Sequence, residues 1–451
     1  MSDRLFGTDG VRGLANGLLT AQLATSLGVA AAQVLAKRGQ LATHNSHQPF
    51  AIVGRDPRIS GEFLQAAISA GLASAGVDVV DVGVVPTPAV AYLTDQTGAD
   101  LGVMISASHN AMPDNGIKFF AKGGQKLADD VEDDIENQLS TSNDLPTGSS
   151  VGSIRQDHEL VEKYIDHLLS SIDQSLTGLK VVIDAANGSA SLVGPETLRR
   201  AGVQVISIHC EPNGLNINDN CGSTHMEDLF AAVAEHGADI GIAHDGDADR
   251  FLAVAEDGSF VDGDQILAIL ASGRKAKNKL VGNTVVATVM SNLGFNLAMR
   301  KLEINVVATA VGDRYVLEAM RDNGFTIGGE QSGHVILSEY ASTGDGILTA
   351  LHVLSEMKRT GKPLSELAGI VTRLPQVLVN VKNVDKVKVS NSQLLSAVKD
   401  AETELGETGR VLLRPSGTEP LIRVMVEAAT EEQAQTIAQR LASVVQETCS
   451  L

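Results

Sequence analysis

The sequence predicts an α/β protein with three related mixed α/β (α/β/α) domains and a C-terminal α+β domain. Over the first three-quarters of the chain, short β-branched runs alternate with helical patterns. The segment Ala99–Ile105, ADLGVMI, recurs 139 residues later as Ala238–His244, ADIGIAH, an offset that suits duplicated domains better than a solenoid. After about Gly369 the pattern changes to strand, helix, strand, strand and helix.

Each of the three α/β domains is predicted to repeat one order of elements. An apolar strand that ends in a Gly- or Asn-marked loop comes first, then a helical stretch, then a second strand. The opening strands lie in Phe50–Asp56, Leu179–Gly188 and Thr284–Asn292, and the second strands in Val77–Val85, Val203–His209 and Ile304–Val311. A third strand ends in a polar loop in each domain, and these loops are Ser106–Asn110, Asp245–Arg250 and Gly329–His334. Because ligands gather at the carboxyl ends of strands in a mainly parallel sheet, we expect the three loops to line one cleft.

Changes in composition predict the domain boundaries. The polar, Gly/Ser-rich stretch Ser140–Ser153 is a predicted linker, and a second boundary lies near Asp257–Asp264. The four predicted domains are residues 1–150, 151–260, 261–369 and 370–451. The last has predicted strands at Val377–Val384, Val411–Leu413 and Leu421–Glu427, a helix at Ser392–Glu404, and a final helix with a capping-box signature at Thr430 and Gln433.

Composition limits the kind of partner. The 451 residues include 35 Lys and Arg against 55 Asp and Glu, a formal net charge of −20, and 43% of them are hydrophobic. A chain this apolar is expected to fold, and its acidic balance argues against binding to nucleic acid or to an anionic membrane. We therefore expect a small-molecule partner, with a homodimer open as an alternative to a monomer.

The first residues lack the basic segment and apolar run of a signal peptide. The longest apolar stretch, Leu18–Ala36, is interrupted by polar residues and has helical spacing, so it predicts a helix that faces the core. Cys210, Cys221 and Cys449 include no Cys-x-x-Cys pair, so their spacing indicates neither a disulfide framework nor a zinc site. These observations predict a cytoplasmic protein.

Asp245, Asp247 and Asp249 alternate within one short loop. Carboxylates this close repel one another unless a cation lies between them. An EF-hand requires glycine at the sixth loop position, where Arg250 stands, so the remaining alternative is a solvated acidic turn. Because apolar strands enclose the loop, we predict a divalent-metal site, and oxygen ligation favours Mg²⁺.

Ser108 directly follows a strand, with His109 beside it. A nucleophile elbow requires glycine two residues to either side of the serine, and Ser106 and Asn110 stand there, so an α/β-hydrolase is disfavoured. Taken alone, this loop is explained equally well as a polar turn without a reactive residue. Its position in the repeat, equivalent to the Asp loop, favours a reactive serine, and a phosphate on Ser108 would supply a further oxygen ligand for the metal.

The segment Arg414–Pro420 joins two strands, and Arg423 follows on the second. Its hydroxyls, backbone and paired arginines suit a phosphate, although Pro, Ser and Gly are also ordinary turn residues. We predict a phosphate-binding loop.

Glu330, Ser332 and His334 share a tight Gly-rich loop and are suited to hydrogen-bonding sugar hydroxyls. A turn with incidental polar residues explains them equally well. Arg12, between two glycines, and Lys118, shortly after the Ser108 loop, are either catalytic cations or solvated surface charges.

Taken together, these loops resemble the α-D-phosphohexomutase superfamily along nearly the whole chain and in the family's order. Phe6–Gly13, Ser106–Asn110, Asp114–Phe120, Val311–Val316 and Gly329–His334 are similar to the bacterial phosphoglucosamine mutase branch. The resemblance implies four domains around a deep cleft, and a reversible conversion of glucosamine 6-phosphate into glucosamine 1-phosphate for UDP-N-acetylglucosamine and cell-wall synthesis.

The resemblance also implies residue roles. Ser108 would be the phosphoserine, and its phosphate would bind one Mg²⁺ together with Asp245, Asp247 and Asp249. The residues expected to contact substrate or its phosphates are Arg250, Glu330, Ser332, Arg414, Ser416, Gly417, Thr418 and Arg423.

The expected reaction passes through glucosamine 1,6-bisphosphate, which is both intermediate and activator. Because phosphoryl transfer has a loose transition state, catalysis is expected to consist mostly of positioning and of charge neutralisation by Mg²⁺, Arg12 and Lys118. Lys118, His109 and His334 are unranked candidates for the general acid or base.

Two positions depart from the family pattern. Ala111-Met112-Pro113 follows Ser-His-Asn where most relatives have proline and an aromatic residue, and His244 stands where a bulky apolar residue usually precedes the Asp loop.

The alternatives left open are a phosphomannomutase or phosphoglucomutase, a phosphatase with an aspartate nucleophile at Asp245, and a non-enzymatic sugar-phosphate-binding module. Against the phosphatase, Asp249 stands where a hydroxyl residue is expected.

Overall fold

The computed structural model describes residues 4–7, 9–42, 48–140, 144–416 and 421–450. The chain divides into two compact units. The large unit comprises Met1–Met290 and Ile304–Gly369, and the small unit comprises Ser291–Glu303 and Ile370–Leu451. None of the described helices has both the length and the hydropathy needed to cross a bilayer.

The first sheet of the large unit is mixed, with strands in the order β1-β5-β4-β2-β3-β7 and β6 paired to β5. Its strands are β1 (Val11–Leu14), β2 (Phe50–Arg55), β3 (Asp78–Val84), β4 (Leu101–Ile105), β5 (Asp114–Ala121), β6 (Gln125–Lys126) and β7 (Ile154–Gln156). The helices in this part of the chain are α1 (Ala21–Lys37), α2 (Ile59–Ser74), α3 (Thr87–Gln96) and α4 (Asp129–Gln138).

Helix α1 shows why the longest apolar stretch folds as it does. The Thr20 side chain caps its first turn by accepting a hydrogen bond from the Leu23 backbone N–H at 3.1 Å. The predicted apolar face is buried, with Leu23 partly buried at its start. Gly28 and Gly71 let α1 and α2 pack closely, since a Cβ on Gly71 would stand 2.2 Å from a backbone oxygen of α1. The core-facing helix predicted from the sequence is confirmed.

The second and third sheets of the large unit are also mixed, with strand orders β12-β11-β10-β8-β9 and β14-β13-β15-β16. The second sheet contains β8 (Lys180–Asp184), β9 (Gln204–Ile208), β10 (Ile240–Ala243), β11 (Leu252–Ala255) and β12 (Phe260–Val261), with helices α5 (Val161–Ser170), α6 (Ala190–Arg200) and α7 (Glu227–His236). The third contains β13 (Thr284–Thr288), β14 (Asn305–Thr309), β15 (Ile327–Gly329) and β16 (Val335–Leu337), with helices α8 (Gly263–Ala276), α10 (Asp313–Asn323), α11 (Gly346–Thr360) and α12 (Leu364–Ala368).

The repeat predicted from the sequence is confirmed by strand pairing. In each sheet one strand lies parallel to the opening strand and antiparallel to the strand after it: β4 beside β2 and β5, β10 beside β8 and β11, β15 beside β13 and β16. The three polar loops follow these equivalent strands. Each loop therefore leaves the carboxyl end of a parallel strand, where ligands are expected.

The small unit has an antiparallel sheet in the order β17-β19-β18. Its elements are α9 (Leu293–Lys301), β17 (Gln376–Lys382), α13 (Ser392–Leu405), β18 (Arg410–Pro415), β19 (Leu421–Glu427) and α14 (Glu431–Cys449). Thr430 caps α14 by accepting from the Gln433 N–H at 3.2 Å, and the predicted apolar face of α14 is buried. The predicted C-terminal α+β pattern is confirmed, with α9 added from a distant part of the chain.

Candidate active site

Ser108 is held at the start of the β4–β5 loop with its hydroxyl turned toward the Asp loop. It is 1% exposed and has a left-handed backbone, with φ of 52°. Its N–H donates to Ser106 Oγ at 2.9 Å, and Ser106 Oγ donates in turn to Asp56 Oδ2 at 2.5 Å. The Ser108 hydroxyl donates to the Asp245 carboxylate and lies 3.2 Å from His109 Nδ1.

Buried polar residues support the back of this loop. Arg58 is fully buried and pairs with buried Asp56. Its guanidinium donates to the carbonyls of Ser108 and Asn110 at 3.1 and 2.6 Å. Asn218 donates to the same two carbonyls at 2.8 and 2.9 Å. Two side chains thus fix the backbone that carries the serine, and no motif in the sequence marked either of them.

The Asp loop connects β10 to β11 and packs directly on the Ser108 loop. Asp245 and Asp247 are fully buried and Asp249 is 6% exposed. One carboxylate oxygen from each lies within 4.8 Å of the other two. The contact between the loops requires glycine at position 246, because a Cβ there would stand 2.5 Å from the Ser108 carbonyl oxygen.

The three carboxylates fit a divalent cation. Oδ1 of Asp247 and Oδ1 of Asp249 are buried and accept no hydrogen bond from any residue that the structure describes. Burial and the neighbouring carboxylates raise the pKa of Asp245 and of Asp249. A bound cation would relieve this repulsion and use the unpaired oxygens, so the donor set suits a hard metal ion.

Lys118 is the cation that lies against these carboxylates. Its ammonium donates to Asp247 Oδ2 at 2.7 Å and lies 3.0 Å from Asp9 Oδ2 and 3.9 Å from Asp249 Oδ2. Burial lowers the pKa of Lys118, but Asp247 and Asp9 outweigh it and hold that pKa above its ordinary value. Lys118 is 3% exposed, so it is not a solvated surface charge.

Pairing with Lys118 also determines the charge of Asp247. Burial acts to raise its pKa, but Lys118 and the hydroxyl of Thr87, which donates to Asp247 Oδ2 at 2.6 Å, hold that pKa below its ordinary value. Asp247 is therefore ionised at pH 7, whereas burial and repulsion both disfavour the ionised forms of Asp245 and Asp249.

A second group of charges, not identified from the sequence, continues from Lys118. Asp9 accepts from Lys126 Nζ at 2.9 Å, and Lys126 also donates to Asp313. Asp313 Oδ2 lies 3.5 Å from His334 Nε2. Asp9 and Asp313 fall inside motifs that the sequence analysis singled out, whereas Lys126 lies in a two-residue strand without any motif.

Arg12, Arg250 and His109 complete the charges around Ser108. Arg12 lies on β1, pairs with Asp9, and is about a quarter exposed. Arg250 Nε lies 3.9 Å from Asp249 Oδ1, and its backbone N–H donates to Asp245 Oδ1 at 3.3 Å. Burial, Arg250 and Arg12 lower the pKa of His109 to about 4, so its imidazole is neutral at pH 7.

The Glu330 loop is closed tightly between β15 and β16. Glu330 N–H donates to the His334 carbonyl at 2.9 Å, and Glu330 Oε1 accepts from the Gly312 N–H at 3.0 Å. Ser332 is half-buried within the turn. His334 is buried, and neither ring nitrogen hydrogen-bonds to any described residue. Its Nε2 lies 3.9 Å from Asp249 Oδ2, so His334 faces the Asp loop.

In the small unit, Arg414 and Arg423 are directly opposite on β18 and β19. Burial and Arg423 lower the pKa of Arg414. Ser416 is buried, its N–H donates to the Leu421 carbonyl at 2.9 Å, and its carbonyl accepts from Lys386 Nζ at 2.7 Å. The predicted loop residues Gly417 and Thr418 lie outside the described residues. Two adjacent arginines, with a lysine beside Ser416, form a cationic group suited to an anion.

The structure defines the charge of His244, which occupies one of the two positions that depart from the family pattern. Its Nδ1 lies 2.9 Å from the Arg250 carbonyl oxygen, which fixes the tautomer with a proton on that nitrogen. Burial lowers the pKa of His244 to about 4. A neutral ring in this position adds no charge beside the three carboxylates.

Comparison with known proteins agrees with this geometry. Residues 3–145, 162–258 and 262–374 match the family descriptions "Phosphoglucomutase/phosphomannomutase, alpha/beta/alpha domain" I, II and III, and residues 378–444 match the C-terminal domain of that family. The "Phosphoglucosamine mutase" of Streptomyces avermitilis is 61% identical over 448 residues, 98% of each chain. That of a Nocardioides species is 61% identical over 449 residues, 99% of this chain and 100% of its own.

The chain belongs to the phosphoglucosamine mutases of the phosphohexomutase superfamily. Solved structures agree on the fold of this phosphoglucosamine mutase family member. A phosphoglucomutase/phosphomannomutase family protein from Burkholderia thailandensis has a TM-score of 0.83 at 25% identity, covering 100% of this chain and 99% of its own. A putative phosphomannomutase from Thermus thermophilus has a TM-score of 0.78 at 26% identity, covering 99% of this chain and 100% of its own.

Proposed function

We propose that this protein converts glucosamine 6-phosphate reversibly into glucosamine 1-phosphate, through a phosphoserine at Ser108 and a glucosamine 1,6-bisphosphate intermediate. One observation carries the proposal. The Ser108 hydroxyl is buried and hydrogen-bonded to the first carboxylate of the Asp245, Asp247 and Asp249 group. The high identity to phosphoglucosamine mutases over the full chain favours the amino sugar over other hexose phosphates.

In the first transfer, the bond between Ser108 Oγ and phosphorus breaks and a bond from phosphorus to the free sugar hydroxyl forms. The proton of that hydroxyl passes to a base, and Ser108 Oγ regains a proton. The bisphosphate then turns over, and the other phosphate returns to Ser108 by the reverse step. Because the transition state is loose, the protein contributes chiefly orientation and opposite charge.

Asp245, Asp247, Asp249 and the Ser108 phosphate would hold one Mg²⁺. When bound, the ion would supply positive charge that offsets the negative charge of the transferred phosphoryl group. Lys118 and Arg12 add positive charge from the protein itself. Since Lys118 is held as an ammonium by Asp247 and Asp9, we assign it to charge neutralisation and not to proton transfer.

His109 is the residue best suited to move the proton at Ser108 Oγ. Its Nδ1 lies 3.2 Å from that oxygen, and its imidazole is neutral at pH 7. We place the sugar hydroxyls at Glu330 and Ser332, with His334 beside them as the second candidate proton carrier. In the small unit, Arg414 and Arg423 would bind the phosphate that is not reacting, together with the Ser416 to Thr418 loop.

Substrate-panel kinetics and a serine variant test the proposal together. Turnover of glucosamine 1-phosphate should exceed that of glucose and mannose 1-phosphates in kcat/KM, and Ser108→Ala should abolish turnover of all three. Ser170→Ala is the matched control, because it removes an exposed hydroxyl that donates to the His167 carbonyl and leaves Ser108 and the three aspartates in place. Faster turnover of mannose or glucose phosphate would refute the specificity, and an active Ser108→Ala variant would refute the mechanism.

A further inference from the structure

A second cluster of metal-ligand side chains lies in the second sheet of the large unit. Asp184 ends β8, His209 directly follows β9, and Cys221 lies in the loop before α7. One ligand atom from each lies within 4.8 Å of the other two. Asp184 and Cys221 are fully buried, and the His209 side chain is 24% exposed. The pattern of cysteines did not predict this group, because one cysteine is joined by ligands distant in sequence.

The His209 ring lies between two carboxylates. Nδ1 lies 3.0 Å from Asp184 Oδ2, on the side of the cluster. Nε2, at the opposite side of the ring, lies 3.1 Å from Asp228 Oδ2 in the first turn of α7. Histidines that bind metals usually donate their other ring N–H to a carboxylate, as Nε2 can to Asp228. A metal at Nδ1 would replace the hydrogen bond between that nitrogen and Asp184.

The backbone around the cluster is already fixed. Asp184 accepts from the Ala186 N–H at 2.8 Å and from the Gly222 N–H at 2.9 Å. His209 is held in the left-handed conformation, with φ of 46°. A cavity of about 620 Å³ is lined by His209 and by Asn187, so small molecules and ions can reach the exposed edge of the ring.

We propose that Asp184, His209 and Cys221 form a zinc site, with Asp228 as the supporting carboxylate and water from the adjacent cavity as the fourth ligand. A thiolate, an imidazole and a carboxylate together are typical of Zn²⁺ and atypical of Mg²⁺, which selects oxygen ligands. Binding replaces the thiol proton of Cys221 and the Nδ1 proton of His209 by the metal, and both protons pass to solvent. The ion would join the ends of β8 and β9 to the loop before α7.

This position links the zinc site to the Asp loop without sharing a ligand with it. The backbone N–H of His244 donates to the Asp184 carbonyl at 3.0 Å, and the Ser223 N–H donates to the His244 carbonyl at 2.9 Å. Zinc would therefore stabilise the segment that precedes Asp245, which is a structural effect and not a step of the mutase reaction.

The test uses the full chain, freed of metal by a chelator and kept in excess Mg²⁺ so that the Asp loop is occupied. Zinc is titrated against a chromophoric chelator, and Co²⁺ is added in parallel as a spectroscopic probe. Wild type should bind one zinc per chain and show the near-ultraviolet charge-transfer band of a Co²⁺–thiolate bond. That band separates this site from the Asp loop, which contains no sulfur.

Variants assign the ligands. Cys221→Ser should lose the thiolate band and weaken zinc at least about 100-fold, whereas Cys210→Ser, the matched control next to His209, should keep both. Asp228→Asn should keep the band and weaken zinc about 10- to 100-fold. If Cys221→Ser does not fold, His209→Gln is the second test of the ligands, with its folding checked by circular dichroism. This variant should also lose zinc binding. Wild-type protein without a thiolate band, or a band lost in Cys210→Ser but kept in Cys221→Ser, would overturn the proposal.

Discussion

Replacing Gly246 with alanine should separate the two loops on which the proposed chemistry depends. The added Cβ would stand 2.5 Å from the Ser108 carbonyl oxygen, a backbone atom that Arg58 and Asn218 hold in place. Reaching an ordinary contact of about 3.4 Å requires the Asp loop to move by about 0.9 Å. Since misplacement of reacting groups by about 1 Å can cost about 100-fold, we expect kcat to fall about 10- to 100-fold, or about 1.4 to 2.7 kcal/mol.

The assay is steady-state conversion of glucosamine 6-phosphate at saturating bisphosphate, with the Mg²⁺ concentration for half-maximal rate measured in parallel. Gly258→Ala is the matched control, because no atom lies within 4 Å of its added Cβ. With a φ of 83° at this position, the substitution strains only the local backbone. The control should lower the free energy of unfolding by about 1 kcal/mol and leave kcat unchanged. A Gly246→Ala enzyme within twofold of wild type, with unchanged Mg²⁺ response, would refute the contact between the loops.

Three further predictions concern the same site. Asp247→Asn and Asp249→Asn should each raise the Mg²⁺ concentration needed for half-maximal activity at least about 10-fold. The control Asp257→Asn, in the exposed β11–β12 turn, should leave that concentration unchanged. The same Mg²⁺ titration in all three variants would contradict the assignment. Lys118→Met leaves the fully buried carboxylate of Asp247 without its ammonium partner, whereas Asp9 keeps Lys126. Urea unfolding should therefore show a loss of about 3 kcal/mol, and wild-type stability would count against the buried pairing. Burial, Arg250 and Arg12 lower the pKa of His109 to about 4, so in dephosphorylated, Mg²⁺-free protein its imidazole should gain a proton only as the pH falls toward that value. Nuclear magnetic resonance, with His109→Gln to assign the signal, should find the ring neutral at about pH 5.5. A titration midpoint near 6.5 would refute this.

The sequence was sufficient to predict the repeated α/β pattern, because strands and helices differ in hydrophobic period and the duplication preserves the order of elements. It also predicted the grouping of Asp245, Asp247 and Asp249 with Ser108, since the loops follow equivalent strands of the repeat. The start of the C-terminal helix could be placed to the residue, because the Thr430 side chain caps its first turn as the sequence predicted.

Contacts between residues distant in sequence could not be predicted in this way. Arg58, in the loop after β2, and Asn218, in the loop after β9, both support the Ser108 loop, and neither stands in a motif. Lys126 pairs with Asp9, 117 positions earlier in the chain, and with Asp313, 187 positions later. Whether Lys118 is a surface charge or a buried cation depends on the fold, because a single lysine in a strand has the same sequence pattern in both cases.

The proton carriers could not be ranked from sequence for a similar reason. Lys118 and His109 both have suitable side chains, but their protonation is set by neighbours that only the fold assembles: Asp247 and Asp9 around the lysine, Arg250 and Arg12 around the histidine.

The central claim is that Ser108 carries the phosphoryl group that is transferred. Peptide mass spectrometry of active protein, purified without added bisphosphate, tests it most directly, combined with the acid and hydroxylamine stability of the modification. We predict an acid-stable phosphate on Ser108 that is lost when glucosamine 6-phosphate is added and appears in the bisphosphate. Active protein without phosphate on Ser108, or a hydroxylamine-labile acyl phosphate on Asp245, would contradict the mechanism.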